Sequence, residues 1–518
     1  MSLSIAEIKR FISDDAASEK KRFAAVGQRY YEAEHDILKC RLFYWNADGV
    51  LVEDTTRSNI KICHPFFTEL TDQLAAYMLS FKENPIQAKD NVEGLQDHLD
   101  AYFNDEFWSE ISELITGAYA KGFEYLYAYK NAENKLTFQT ADSMGVVEVR
   151  ENDTDDGCKY IIYWYIDRID KGRKTIKRIQ VWDEKETRFY VQSGSGKVEI
   201  DKSAKVNPRP HVVFTDEKTG EKMGYGLGFI PFWRLDNCKK QFSGLKPVKS
   251  LIDDYDRMQC GLSNNLADFD TPLHVVSGFQ GDNLDELQQN LKTKKIIGVD
   301  SEGSVHTETV DIPYQARKVK ADEDEKNIYR AGFGLNMLGL KDTAATTNMA
   351  IKAAYSLLDM KADKMQKRLS ALLDQLVKCV LEEINKEHGT DFQRSDIKFV
   401  FTRETMTNET ENIANELVKA QTKQTEVNTI LNVAVQIGDE AALQAICEVM
   451  DLDYEEIKDK VLQESDPEDD IYSAMSTLED VDTEETESES GSGGVSDDEI
   501  ATQNKVLEML EGLLKEID

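Results

Sequence analysis

One stretch constrains this chain more than any other. From Asn336 to Ile384 a Gly- and Thr-rich segment opens straight into a very long amphipathic helix. Ile351, Tyr355, Leu358, Ala362, Met365, Leu369, Leu372, Leu376 and Val380 recur at three- and four-residue steps, the spacing of one helical face. Thr347 or Asn348 is placed to cap the start, and Gly389 to close the end in a left-handed turn. At ~1.5 Å per residue the rod is roughly 50 Å long. Helices of globular domains average about three to four turns, so a rod of this length is expected to span a large assembly.

The 518 residues leave room for about three domains at ~150 residues each. With 40% hydrophobic residues, including 9% aromatic, those domains can build cores. The formal net charge is −35 and the pI near 4.7. Such a charge argues against a surface that grips nucleic acid by neutralising phosphates. It does not exclude a protein past which DNA must slide without sticking. The seven cysteines are scattered, odd in number and without a CxxC pair, which speaks for buried, reduced thiols in a cytosolic protein rather than a disulfide framework or zinc site. The first residues read as an amphipathic helix start, not a signal peptide, and no run of about 18 apolar residues spans a membrane.

Residues from about 4 to 37 read as helical. Arg41–Asn46 and Val50–Val52 flank Ala47-Asp48-Gly49, a hairpin signal. Helical patterns cover Pro65–Phe81 and Trp108–Lys121. Strands are expected at Tyr125–Tyr129, Val146–Val149, Tyr160–Tyr165, Arg178–Trp182, Phe189–Val191, Val198–Ile200 and His211–Phe214, joined by short turns into an antiparallel sheet. The first ~240 residues thus read as one α+β domain. A second helical section begins at Pro247, with Val248, Leu251, Tyr255, Leu262, Leu266 and Phe269 in one stripe, and Pro272 enforces its stop. A small α/β insert follows: strands at Leu273–Val276, Lys295–Val299 and Val305–Val310, and a helix at Asp282–Leu291. Pro313 restarts a helix to about Arg330 that is polar nearly all round. After the long rod come a short strand at Asp396–Thr402 and two or three helices between Glu409 and about Glu464. Between Glu464 and Glu499 there is no Lys or Arg, the composition of a disordered acidic linker; a last amphipathic helix is expected at Ala501–Ile517.

Catalytic signals are weak. Ser193-Gly194-Ser195-Gly196-Lys197 faintly resembles a phosphate loop, but Val198 stands where a magnesium-binding Ser or Thr belongs, and a hairpin turn is the better reading. Gly224–Gly228 lacks a strand-then-helix context and reads as a structural turn. The seven histidines form no HxH or HxxxH pair; His274 and His306 are expected on adjoining strands of the insert, with packing as their role. No cofactor or metal is expected.

With these pieces in order, the chain resembles the portal proteins of tailed double-stranded-DNA phages, in the branch found in long-tailed phages of Gram-positive hosts. Arg29-Tyr30-Tyr31 with Asp36-Ile37, and Asn59–Ile62, look like the family's N-terminal wing. Gly228–Phe232 with Asn237 resembles its lead into the stem, and Val248–Asp256 its first stem helix. Thr346–Ala362 resembles the tunnel-loop exit and long helix. The family often has a Ser-Gly pair where Thr347-Asn348 stands, and the acidic tail and last helix match nothing in it.

The resemblance implies an α+β portal fold. It would comprise a wing (1–243), a first stem helix (244–270), an α/β clip (271–311) and a second stem helix (312–332). A tunnel loop with the long helix (333–388) and a helical crown (389–464) would follow, then the acidic linker (465–500) and C-terminal helix (501–518). It implies a non-enzymatic homo-oligomeric ring of about twelve subunits at one capsid vertex of the virion, assembled in the host cytoplasm. Double-stranded DNA would pass through it during packaging and ejection; its partners would be the large terminase, a head-tail adaptor, and the major capsid and scaffolding proteins, with no membrane. Asn336, Leu338, Lys341, Asp342, Thr343 and Thr346 of the tunnel loop, and Lys318, Lys320, Lys326 and Arg330 of the second stem helix, would line the DNA channel. Asp282, Asn283, Asp285, Glu286, Gln289, Lys292 and Lys294 of the clip would dock terminase or adaptor. Two other readings of the residues stay open: a protein-only connector or adaptor ring, and an α/β hydrolase or nuclease.

Overall fold

Ser4 starts the first helix, α1 (Ile5–Ala16), with a capping box: its hydroxyl accepts from Glu7 N, and the Glu7 carboxylate accepts from Ser4 N at 2.8 Å. Ser18 caps α2 (Glu19–Tyr31), so the helical stretch expected over about 4–37 is two helices, and the chain turns out of the second at Ala33, φ +58°. The computed structural model describes residues 3–55, 57–89, 92, 94–131, 135–150, 157–169, 174–215, 222–269, 273–279, 299–308, 314–336, 348–403, 409–450 and 454. The expected helix at Asp282–Leu291, the acidic linker and the last helix lie outside the described residues. The chain divides into two compact units, Met1–Glu411 and Asn412–Asp518.

In the first unit, β1 (Phe43–Trp45) and β2 (Leu51–Glu53) form the expected hairpin, closed at Gly49, φ +71°. α3 (Phe66–Met78) is followed by β3 (Ile86–Ala88) and α4 (Leu95–Tyr102), two elements that sequence patterning missed. α5 (Asp105–Lys121) begins three residues before Trp108 because the Asn104 side chain accepts from Phe107 N at 3.1 Å; it ends at Gly122, φ +101°. β4 (Phe123–Lys130) pairs with β5 (Leu136–Ala141). β6 (Val146–Val149), β7 (Tyr160–Ile169), β8 (Thr175–Trp182), β9 (Glu186–Ser193) and β10 (Val198–Ile200) run as an antiparallel meander, with β11 (Arg209–Pro210) also on β9. The Ser193–Lys197 segment is the β9–β10 hairpin turn, with Gly194 at φ +56° and Gly196 N donating to Ser193 O. β12 (Val212–Thr215) pairs with β13 (Lys222–Tyr225), and β14 (Phe232–Asp236) joins β4. Gly224 is therefore inside a strand, and the turn is confined to the residues that follow. α1 lays Ile8 on one face of the meander against Val147, Ile162, Ile179 and Val181, the alternation expected of a half-buried sheet.

α6 (Lys249–Phe269) leads to β15 (Leu273–Phe279), which pairs with β16 (Val299–Glu308); α7 (Tyr314–Gly332) returns antiparallel to α6. His274 faces Thr307 and His306 faces Val275 in the register of that pair, so the two histidines are on adjoining strands but not opposite each other. α8 (Asn348–His388) is the long rod, 41 residues without a break, ~60 Å at 1.5 Å per residue. Its apolar stripe is buried from Tyr355 through Val380, and Gly389, φ +67°, closes it as the sequence requires. That stripe enters the same core as α3, α4, α5 and the β4–β5–β14 sheet. β17 (Ile397–Phe399) then pairs with β3, so the chain after the rod is stitched back to the N-terminal region. One core thus reaches from Tyr30 to Ile397, well beyond the first ~240 residues considered alone.

The second unit contains most of α9 (Glu409–Ile437) and all of α10 (Asp439–Met450), separated at Gly438, φ +87°.

Candidate functional site

α7 has two unlike faces, and its sequence dictates them. Lys318, Asp322, Lys326 and Arg330 follow at four-residue steps and are all exposed, forming one wet stripe. Asp324, Ile328 and Tyr329 form the buried side. Lys320 lies on the inner side, held between Asp254 of α6, at 2.9 Å, and Asp324 of its own helix. Hydrogen bonds to Asp324 and Asp254 raise its pKa. Of the four expected channel cations, three therefore share a stripe, and Lys320 ties α7 to α6.

The chain leaves α7 through Phe333, φ +57°, with Gly334 N donating to Tyr329 O at 2.9 Å. Gln73 of α3 grips the next residue twice: its Oε1 accepts from Leu335 N at 3.0 Å and its Nε2 donates to Leu335 O at 2.9 Å. Asn336 Nδ2 donates to Glu325 Oε1 at 3.2 Å. Leu338, Lys341, Asp342, Thr343 and Thr346 lie outside the described residues. On the far side of that segment α8 packs Tyr355 against Tyr77 of α3, and Tyr77 donates its hydroxyl to Asp359. Both flanks of the segment 337–347 are thus fastened to one helix, α3.

Lys361 of α8 ties these flanks together. Its Nζ donates to Gly332 O at 3.0 Å and Leu70 O at 3.4 Å, and lies 3.8 Å from the Tyr119 ring centroid. Burial pulls its pKa down to about 7. It lines a cavity of about 450 Å³ together with Lys246, Lys364, Phe242, Phe333 and Tyr119, and no carboxylate is among the described lining residues.

A second knot joins α6 to the N-terminal helices. Asp256 is fully buried and accepts from His35 Nδ1 at 2.6 Å, His64 Nδ1 at 2.9 Å and His64 N at 2.9 Å. Burial presses this carboxyl towards protonation, yet the hydrogen bonds from His35 and His64 hold its pKa below the ordinary value. One turn away, Lys249 bridges Asp253 at 2.7 Å and Asp36 at 2.8 Å, Arg29 reaches Asp36 at 3.0 Å, and Tyr30 donates to Asp253. The motifs Arg29–Ile37 and Val248–Asp256, far apart in sequence, meet here.

Of the segment 271–311, expected to be the clip, β15 and β16 are described; Asp282, Asn283, Asp285, Glu286, Gln289, Lys292 and Lys294 lie outside the described residues. Lys361, Gln73 and the Asp256 knot were not singled out by sequence. The available signal for the first was spacing, since Lys361 falls three residues after Leu358 and four before Met365, on the apolar face of α8; the others depend on tertiary partners. Among the described residues no group of three or more His, Cys, Asp or Glu is arranged to hold a metal ion, and no helix is long and apolar enough to cross a membrane. Cys260, Cys379 and Cys447 are buried free thiols, whereas Cys40 is an exposed one.

A family model described as phage portal protein, SPP1 Gp6-like, matches residues 10–459. The chain is 25% identical over 398 residues to the portal protein of Bacillus phage SPP1, covering 76% of this chain and 77% of that relative. It is also 25% identical over 436 residues to the portal protein of Clostridium phage phiCD119, covering 79% of this chain and 88% of that one.

Proposed function

Since the chain belongs to the SPP1 Gp6-like family of phage portal proteins, structural components of the phage capsid, we propose that it acts as a DNA conduit in a ring of about twelve copies, without enzymatic activity. In this reading 1–243 is the wing, 244–270 and 312–332 are the stem, 271–311 the clip, 333–388 the tunnel loop and long helix, and 389–464 the crown. The ring occupies one capsid vertex, is assembled in the host cytoplasm, and passes double-stranded DNA driven by a separate large terminase. The observation that carries the reading is α7. One side packs on α6 and the other is wet along its whole length, as a channel wall requires. Lys318, Lys326 and Arg330 on that wet side supply local attraction in a chain of net charge −35, so phosphates are guided without being held.

The segment 337–347, flanked by attachments to α3, is the part that meets DNA most closely, with Lys341 as its cation. The clip residues between Asp282 and Lys294 dock terminase and later the head-tail adaptor; capsid and scaffolding proteins contact the ring elsewhere. Electron micrographs of the purified protein test the central claim: rings with a lumen of at least ~20 Å, the width of duplex DNA, are expected. A strict monomer or dimer at all salt and protein concentrations refutes it. Lys341→Glu should leave ring mass intact while lowering DNA packaging; unchanged packaging removes the loop from the DNA path. Deleting 282–291 should abolish binding of terminase, and retained binding moves the docking site.

A further inference from the structure

The β1–β2 hairpin presents the most apolar exposed surface among the described residues. Phe43, Tyr44, Val50 and Leu51 are about half exposed and Trp45 is 71% exposed. A two-stranded ribbon alone is marginal in water, and none of these five side chains belongs to a core of this chain. With aromatic rings offering ~150–250 Å² each, the five expose roughly 500 Å². That is more than half of the ~800 Å² each partner gives to a standard interface.

The height of this hairpin along the stem is fixed by an unusual fit. After β2 the chain runs extended along α6, and every second backbone N–H is captured by every fourth side chain of the helix. Ser58 N donates to Asp268 Oδ1 at 3.0 Å, Ile60 N to Asn264 Oδ1 at 2.6 Å, Ile62 N to Cys260 Sγ at 3.1 Å, and His64 N to Asp256 Oδ1 at 2.9 Å. Two extended residues advance ~6.6 Å and four helical residues ~6.0 Å, so the two repeats stay in step over this length. The strap holds the hairpin level with the last turns of α6, around Asn264 and Asp268.

On α6 the apolar stripe is only half covered. Val248 and Ile252 are buried in the chain's own core, but further along the stripe Leu262 is half-buried and Leu266 is 54% exposed. At 100° per residue Leu266 lies about 200° around the helix from Asn264, on the side opposite the strap. The hairpin and the bare half of the stripe therefore sit at one height, on opposite sides of one helix. A closed head-to-tail ring joins two different patches of equal height on adjacent copies.

We infer that the hairpin of each subunit packs on the Leu262–Leu266 end of α6 in the next copy of this chain. The inference rests on the ring reading above. Its test is a pair of variants of the full chain. Trp45→Asp should lower the fraction assembled, by light scattering at fixed concentration, at least tenfold, while the monomer keeps its circular dichroism and melting temperature, since Trp45 is in no core. In a Cys40→Ser background, Trp45→Cys with Leu266→Cys should give under mild oxidation a ladder of covalent multimers that neither single variant gives. Rings of wild-type mass from Trp45→Asp overturn the inference and would turn the hairpin towards another protein; assembled rings without a ladder overturn it equally. A wild-type chain that stays monomeric overturns the ring reading itself, and this inference with it.

Discussion

Replacing Lys361 by Met should abolish the pH dependence of stability that this one side chain imposes. In the folded chain burial lowers the Lys361 pKa to about 7, whereas an unfolded lysine titrates near ~10.4. Between these values the unfolded chain binds a proton that the folded chain does not, so wild-type stability rises with pH across the window. Below about 7 both states are protonated and the folded state bears the full cost of a charged amine beside Tyr119, with Lys246 and Lys364 on the same cavity wall. From pH 6 to pH 9 the relief amounts to about 2.7 kcal/mol, at ~1.36 kcal/mol per pH unit over the two units above pH 7. Met of similar length removes this relief. It also leaves Gly332 O and Leu70 O without the amine that bonds them, a cost of about 1–3 kcal/mol at any pH.

The assay is four urea unfolding curves, wild type and Lys361→Met at pH 6 and pH 9, on the dissociated subunit. At pH 9 the variant should be the less stable of the two. At pH 6 the difference should shrink or change sign, a double difference near 2–3 kcal/mol. Every other titrating group is common to both proteins and cancels. Parallel profiles, with a double difference below about 0.5 kcal/mol, would refute the claim that this amine is desolvated in the folded state.

Other perturbations follow from the same structure. Asp256→Asn takes the charge from the carboxyl shared by His35 and His64. It should lower stability by about 3 kcal/mol at neutral pH, read as the urea midpoint. The Asp256 pKa is depressed, so that contribution is present above the ordinary carboxylate value and lost as pH falls through the folded value; the gap to Asn should close in acid. Gly27→Ala would place a Cβ 2.0 Å from Ala120 O, where α2 crosses α5. The backbone must move, and a loss of about 2–4 kcal/mol in thermal or urea unfolding is expected. Truncation after Gln463 removes a stretch too acidic and polar to bury itself. It should leave the number of subunits per ring, by light scattering, unchanged.

What the sequence made legible is what a single element can encode by itself. The stripe of α8 is written in nine apolar positions, and all of them reach the core or its edge. The meander follows from alternation and short turns, whereas α7 reads as polar nearly all round and shows its buried side, at Asp324, Ile328 and Tyr329, only once packed. Elements that lack a local signal were missed. β3 is three residues, half-buried, and exists because β17 pairs with it after the long rod has brought Ile397 back. α4 starts at Gly94, φ +75°, without a side-chain cap, so nothing announces it. The stripe on α6 shows the deeper reason. Its apolar residues were readable, but which half is covered depends on what the rest of the chain packs against it. Asp256, Cys260, Asn264 and Asp268 read as ordinary polar positions, because an acceptor row at helical spacing has no meaning until an extended strand of matching pitch lies across it. Sequence patterns report the side of an element that faces a core. The residues that hold the strap on α6 or fasten the flanks of 337–347 to α3 read as ordinary polar positions, and only the folded geometry separates them from solvent-facing surface.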